Sequence, residues 1–208
     1  IANADAGSTV YLYKDTSVGT TIPVTKNLTI RSTEGNKFNI TPVNKATALS
    51  FKGSISVTLE NLNFTGYTGA NIMHIGDEST STDEYTLTFN NVDMSFDASA
   101  AIILYSTKKL TWTMTNCSVS ADSGARAIFT LKGGYNLPTE ASTVTLTDTA
   151  MLKFCAKVYG GTDSATDTLT IDRRFSSTTA AEDCNVVVVA KYGDYYYTVS
   201  DVVSMIPD

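Results

Sequence analysis

Asp93, Asp122 and Asp148 are the carboxylates that a stacked arrangement of this chain would bring nearest to a catalytic geometry. Hydrolysis of a glycosidic bond requires two carboxyl groups that face one sugar at a separation of about 5 to 10 Å. These three residues neither share a column of the repeat described below nor belong to a recurring acidic motif. The sequence therefore predicts no catalytic residue.

Histidine and cysteine offer no stronger candidate for nucleophilic or metal chemistry. The single histidine, His74, lies in an apolar segment that would direct its ring outward, where a lone imidazole is more often a surface group than a general base. Cys117, Cys155 and Cys184 show neither CxxC nor Cys/His spacing, which argues against zinc. Because Cys117 occupies an apolar position of the repeat, we expect a buried thiol there.

Two loops rich in oxygen ligands are the only candidates for a cation site. Calcium prefers carboxylate and carbonyl oxygens; residues 76–84 carry four carboxylates and residues 160–167 carry two. Neither loop has the spacing of an EF-hand or the glycine-rich nonapeptide of a calcium β-roll. We therefore predict solvated loops and no cofactor, with calcium as the alternative at Asp77, Glu78, Asp83 and Glu84.

The elements that position these residues come from one short sequence motif, here called the phrase, that recurs six times. In each copy a polar residue lies between two apolar ones, and copies are separated by 25 to 32 residues. Such a period is typical of a solenoid with one strand per turn. The central polar residues of the copies are Thr29, Thr58, Thr88, Thr113, Thr145 and Thr170.

Alternation within the phrase predicts which side chains form the core. Successive side chains of a strand point to opposite faces, so the apolar residues on either side of each central Thr should face inward together. The predicted inward residues are Leu28, Ile30, Val57, Leu59, Leu87, Phe89, Trp112, Met114, Val144, Leu146, Leu169 and Ile171.

A bend follows the phrase, because an Asn or Asp stands three residues after the central Thr in four copies. Asn tolerates left-handed backbone angles, and its amide can hydrogen-bond to neighbouring turns. We expect these residues to stack as a structural ladder, and each Asn→Ala change to cost about 1–3 kcal/mol. The predicted ladder consists of Asn61, Asn91, Asn116 and Asp148.

A third apolar strand follows the bend in most copies. Each turn would then contain three strands and an asparagine at the bend. This pattern resembles the pectate-lyase-like right-handed β-helix superfamily. The resemblance covers about residues 10 to 175 and implies an all-β, right-handed parallel β-helix of about six coils. Residues 1–191 would form this domain. The β-elimination known in that superfamily needs an acidic calcium cluster and a base, but Arg126, Arg173 and Arg174 have no matching acidic column.

The outward positions of the phrase form a predicted Thr face with two polar residues per turn. Several ice-binding β-solenoids resemble such a face, whereas Thr is also simply a favourable exposed strand residue. The next outward position is irregular and partly charged, as at Arg31, Glu60 and Asp172. The face consists of Thr58, Thr86, Thr88, Thr111, Thr113, Thr143, Thr145, Thr168 and Thr170, with Asn27, Thr29 and Ser56 at its start.

The C-terminal residues 192–208 depart from the repeat. Their sequence predicts a turn, a Tyr-rich strand and a short helix at 199–206. This segment, with residues 6–15, is similar to the headers of tandem β-helix modules in bacterial surface proteins. The resemblance implies that the segment either links to a neighbouring unit or caps its own domain. The expected assembly residues are Tyr195, Tyr196, Tyr197, Val199, Val202, Val203 and Ile206.

The composition of the chain argues against two kinds of partner, nucleic acid and the membrane interior. The net charge of −6 argues against nucleic acid, and no apolar run approaches the ~18 residues of a membrane span. We therefore expect a non-enzymatic, extracellular or cell-surface module that is structural or adhesive and forms one unit of a head-to-tail array with neighbouring copies. The alternatives are a β-helix that binds or cleaves polysaccharide, and an ice-binding protein that uses the Thr face.

Overall fold

The computed structural model describes residues 1–76, 82–97, 100–105, 107–121, 127–131, 140, 142–147, 150–151, 156–158, 186–192 and 195–198. These residues contain eighteen strands and no helix. In chain order the strands are β1 (Thr9–Leu12), β2 (Thr16–Val18), β3 (Ile22–Val24), β4 (Leu28–Ser32), β5 (Phe38–Pro42), β6 (Leu49–Phe51), β7 (Ile55–Thr68), β8 (Met73–Ile75), β9 (Glu84–Asp97), β10 (Ala100–Leu104), β11 (Lys109–Thr115), β12 (Ser118–Ala121), β13 (Ala127–Leu131), β14 (Ser142–Thr147), β15 (Ala150–Met151), β16 (Ala156–Val158), β17 (Val186–Tyr192) and β18 (Tyr195–Thr198).

Strands separated by a full turn of chain lie side by side. The longest path of the 12-stranded sheet runs β1-β4-β7-β9-β11-β14-β17-β18, and the 6-stranded sheet runs β16-β13-β10-β8-β6-β3. Every described pair is parallel except β17 with β18. This arrangement confirms the predicted fold class, an all-β parallel solenoid.

The solenoid holds about four turns in the well-described part of the chain, so the prediction of six is wrong. The sixth copy of the phrase, at 168–171, lies outside the described residues, and another strand follows β14 in the sheet. That position belongs to β17, where Val187 pairs with Thr143 and Val189 with Thr145. A run of β-branched Val fits an outward strand position as well as Thr does, so the phrase alone did not identify the pairing strand.

The C-terminal hairpin is partly described. Strands β17 and β18 pair antiparallel, with Lys191 opposite Tyr196 and Tyr192 opposite Tyr195. The predicted helix at 199–206 lies outside the described residues, as do the assembly residues Val199, Val202, Val203 and Ile206. Among the described residues, no helix has the length and hydropathy needed to cross a membrane.

The core follows the predicted alternation. Every predicted inward residue from Leu28 to Val144 is buried, which confirms that part of the prediction. The largest of them, Trp112, is fully buried, and its ring lies 5.2 Å from that of Phe89 in an edge-on arrangement. Leu169 and Ile171 lie outside the described residues, and the side chain of Leu146 is not described.

Candidate functional site

The Thr face consists of two straight columns of polar residues, because neighbouring strands pair without a shift at these positions. Adjacent strands lie about 4.8 Å apart, so the columns repeat at that spacing. Thr86 and Thr111 are exposed, whereas Thr58, Thr88, Thr113, Thr143 and Thr145 are half-buried. The first column is Ser56, Thr86, Thr111 and Thr143, and the second is Thr9, Thr29, Thr58, Thr88, Thr113 and Thr145.

The Thr face is limited both along the solenoid and across it. It ends at β17, where Val187 and Val189 continue the two columns; Thr168 and Thr170, which the sequence placed next, lie outside the described residues. Along one side runs a mixed column in which Arg31 forms an ion pair of 3.2 Å with Glu60. The regular surface is therefore two residues wide and uncharged.

A second feature is the Asn ladder, formed by Asn61, Asn91 and Asn116 at the bend. Their φ angles are 53°, 53° and 51°, in the left-handed region that Asn tolerates better than most residues. Asn91 Nδ2 donates a hydrogen bond of 2.7 Å to Asn61 Oδ1. Asn116 adopts the same backbone with an exposed side chain, and Asp148 lies outside the described residues.

Lys37 extends this ladder and was missed by sequence reasoning. Its Nζ donates to Asn91 Oδ1 at 3.0 Å and forms an ion pair of 2.6 Å with Asp93. The signal was present in the chain, because Phe38 pairs with Leu62 and Lys37 therefore occupies the position of Asn61 in its own turn. Residues 32–36, inserted between Arg31 and Lys37, hid that alignment.

A parallel polar chain, here called the Asp15 ladder, lies just past the bend. The Asp15 carboxylate accepts hydrogen bonds from the Asn39 backbone N–H at 2.8 Å and from Asn39 Nδ2 at 3.0 Å. Asn63 Nδ2 then donates to Asn39 Oδ1 at 2.6 Å. Sequence reasoning did not identify these three residues, which join three successive turns. In later turns Ser118 Oγ makes the comparable contact with Asp93 Oδ1 at 2.7 Å.

We expect the two contributions of Asn91 to be separable by substitution. Asn91→Gly keeps the left-handed backbone but removes the hydrogen bonds to Asn61 and Lys37, and should lower the free energy of unfolding by about 1–2 kcal/mol. Asn91→Ala should cost about 1 kcal/mol more, because a Cβ disfavours φ near 53°. Urea denaturation measures both values. Equal stability of the two variants would contradict a role for the backbone angle, and Asn116→Gly is the control, expected to stay within about 0.5 kcal/mol.

The Asp15 ladder should make the fold sensitive to acid. The hydrogen bonds from Asn39 hold the pKa of the Asp15 carboxyl below its ordinary value of 3.8. A lowered folded-state pKa means that the stabilisation is present above the unfolded-state pKa and is lost as the pH falls through the folded-state pKa. Asp15→Asn should therefore reduce the melting temperature at neutral pH and flatten its decline in acid. A pH series of thermal melts on the wild-type and Asp15→Asn chains tests this; parallel profiles for the two would contradict it.

The candidate calcium loop is only half described, since Asp77 and Glu78 lie outside the described residues. In the other half, Lys108 Nζ contacts Glu84 at 2.6 Å and Glu140 at 3.2 Å. These contacts lower the pKa of Glu84 and raise that of Lys108. The Asp83 carboxylate accepts from Tyr85 Oη at 3.4 Å. Within the described residues no group of three or more acidic, His or Cys side chains is arranged to hold a metal.

His74, Cys117 and Asp93, the described residues among the remaining candidates for chemistry, make contacts within the fold. The ring of half-buried His74 packs edge-on against Tyr105 at 5.4 Å. Cys117 is buried as expected; its Sγ donates to the carbonyl of Thr115 at 3.3 Å, and burial raises the pKa of the thiol. Asp93 is bound by Lys37 and Ser118. The other candidates, Asp122, Arg126, Cys155, Arg173, Arg174 and Cys184, lie outside the described residues.

Asn39, Asn63, Asn91 and Lys37 thus bind side chains in other turns of the same solenoid. The Thr face presents a regular surface to the outside, and the Asn and Asp15 ladders tie the stack together. Comparison of the chain with protein-family models, curated proteins and solved structures finds no match.

Proposed function

We propose that the chain is a non-enzymatic structural module of an extracellular or cell-surface protein, built as a right-handed β-helix of the pectate-lyase-like type. The observation that supports this most directly is the direction of its polar contacts. Asn39, Asn63 and Asn91 each donate to the turn before their own, and Lys37 reaches across a turn. Side chains used in this way stiffen a stack of turns, which is what a spacer or stalk requires.

The Thr face suits the same role. A half-exposed, uncharged strand surface can remain solvated or pack against another module with little desolvation of charge. Thr is also a favourable residue for an exposed strand, so the face strengthens the sheet that it covers. The module would therefore hold a fixed length between its ends and present one flat side along that length.

Two measurements test this proposal. The chain is incubated with a panel of neutral and acidic polysaccharides, and reducing ends and unsaturated uronates are measured against a heat-denatured control; we expect no product. Antibodies raised against the chain should label intact cells of the source organism without permeabilisation. Product formed only by the native chain would favour the polysaccharide-active alternative, and labelling that requires permeabilisation would contradict a surface location.

Ice binding is the second candidate, favoured by the straightness of the two columns. Thr88 and Thr113 are directly paired in one column, as are Thr86 and Thr111 in the other, so hydroxyl and methyl groups repeat along the face. The structural proposal predicts no thermal hysteresis. Hysteresis that disappears in Thr88→Tyr but persists in Thr115→Tyr, which lies in the mixed column, would reverse the order of the two candidates.

A further inference from the structure

Three strands of the described solenoid have a paired neighbour on one side only. Within the described residues β1 pairs only with β4, β2 only with β5, and β3 only with β6. Their sequences, TVYL, TSV and IPV, contain no charged residue. Proteins commonly protect free strand edges with charged side chains, bulges or prolines, because an unprotected edge pairs readily with another strand. Pro23 in β3 is such a device, whereas β1 and β2 contain none.

The hydrogen bonds of β1 show which backbone groups are free. The carbonyls of Ser8 and Leu12 both accept from the neighbouring turn, from Thr29 N and Thr33 N at 3.0 Å each. Successive residues of a strand direct their N–H and C=O groups to opposite sides. The backbone groups of Thr9 and Tyr11 therefore point away from β4, toward the open edge.

Among the side chains that the structure describes, exposed large apolar groups lie in this part of the solenoid. The large hydrophobic residues that are exposed among the described positions are Tyr11 at 47%, Tyr13 at 75% and Val43 at 41%. All three belong to the first two turns, and the rings of Tyr11 and Tyr13 contact each other at 6.4 Å. An unprotected strand edge beside exposed aromatic rings is typical of a surface that binds another protein.

Strand β18 lies at the opposite end of the same sheet from β1. Within the described residues β18 pairs only with β17, and it runs antiparallel to the rest of the sheet. Thr198 lies opposite Val189, which continues the column of Thr9 and Thr145. By register Thr198 is therefore in line with Thr9, and Tyr196, which pairs with Lys191, is in line with Tyr11.

We propose that β18 of one copy pairs antiparallel with β1 of a second copy, so that the sheet continues from molecule to molecule. This inference rests on the structural role proposed above and names its partner, a second copy of this chain. With Thr198 opposite Thr9, Tyr196 is opposite Tyr11 in the register of the two strands. The same register sets Tyr197 opposite Val10 and Tyr195 opposite Leu12, so all four residues of β18 have a partner in β1.

Sedimentation velocity over a concentration series tests the pairing. The wild-type chain should form oligomers whose size increases with concentration. Tyr11→Pro removes the N–H that points to the open edge and also removes the ring. Pro is tolerated at such an edge position, so the variant should fold but weaken association about tenfold or more. Tyr11→Lys, which keeps the N–H but adds a charge to the edge, should weaken it as well. Tyr13→Ser, beyond the end of β1, is the control for loss of an exposed ring alone.

A mixing experiment distinguishes this pairing from a symmetric one between two β1 edges. Fluorescently labelled Tyr11→Pro chain retains its β18 edge, so it should bind unlabelled wild type with nearly wild-type affinity while failing to bind itself. No binding to wild type would overturn the β1–β18 pairing in favour of β1 with β1. A wild-type chain that stays monomeric at all concentrations, with a normal circular dichroism spectrum, would overturn the inference but leave the structural role untouched.

Discussion

A Val57→Asp variant is expected to lose about 3–5 kcal/mol of unfolding free energy, or to fail to fold. Val57 is 1% exposed and lies in β7, between Leu28 of β4 and Leu87 of β9 on the inward face. A carboxylate there would be buried without a cationic partner, and its charged form would be strongly disfavoured. Domains of this size are stable by about 5–15 kcal/mol, so the loss would be a large part of the total.

The matched control is Thr58→Asp, one residue further along the same strand. Thr58 points outward and is half-buried, so the new carboxylate stays hydrated and the cost should remain below about 1 kcal/mol. Urea unfolding followed by far-UV circular dichroism measures both variants. Because burial favours the neutral acid, the Val57→Asp defect should shrink as the pH falls. Equal losses in the two variants would contradict the assigned faces of β7.

Trp112→Ala is expected to cost about 3–5 kcal/mol through the cavity it creates. The indole is fully buried and packs edge-on against Phe89 on the neighbouring strand. Trp112→Phe should retain part of the packing and lose less. Since Trp112 is the only tryptophan, unfolding must be followed by circular dichroism rather than by fluorescence.

Thr111→Ala is the control for this second substitution. Thr111 is exposed on the same strand, so removing its hydroxyl and methyl groups should change stability by no more than about 0.5 kcal/mol. A loss below about 1 kcal/mol for Trp112→Ala would show that the turn collapses onto the cavity, and would contradict a rigid inward column at this position.

The fold class was predictable because a strand face is encoded locally. Polar and apolar residues alternate around Thr58, Thr88 and Thr113, and each copy repeats the pattern at the interval of one turn. The number of turns was not predictable in the same way. Whether the phrase at Thr170 or the run ending at Val189 pairs with β14 depends on long-range packing, which the phrase does not contain.

Some features of the candidate site were likewise predictable from the sequence, and others were not. The bend at Asn61 and Asn91 follows from residue type and offset, since few residues accept a left-handed backbone. Lys37 and Asp15 lie outside the phrase, and their contacts depend on a register that only the stacked structure provides. The open edge at Tyr11 likewise becomes visible only when the strand order is known.

Lys37 also affects how the solenoid should come apart. In most repeat proteins each turn contacts only its neighbours, so stability is a sum of single-turn and nearest-neighbour terms and the ends fray one turn at a time. Lys37 lies next to β5, yet it binds Asn91 and Asp93 on β9, with β7 between them. This contact adds a second-neighbour coupling to an otherwise one-dimensional system. The turns that contain β5, β7 and β9 should therefore exchange their amide hydrogens as one cooperative unit, with opening from the N-terminal end halted until all three release together.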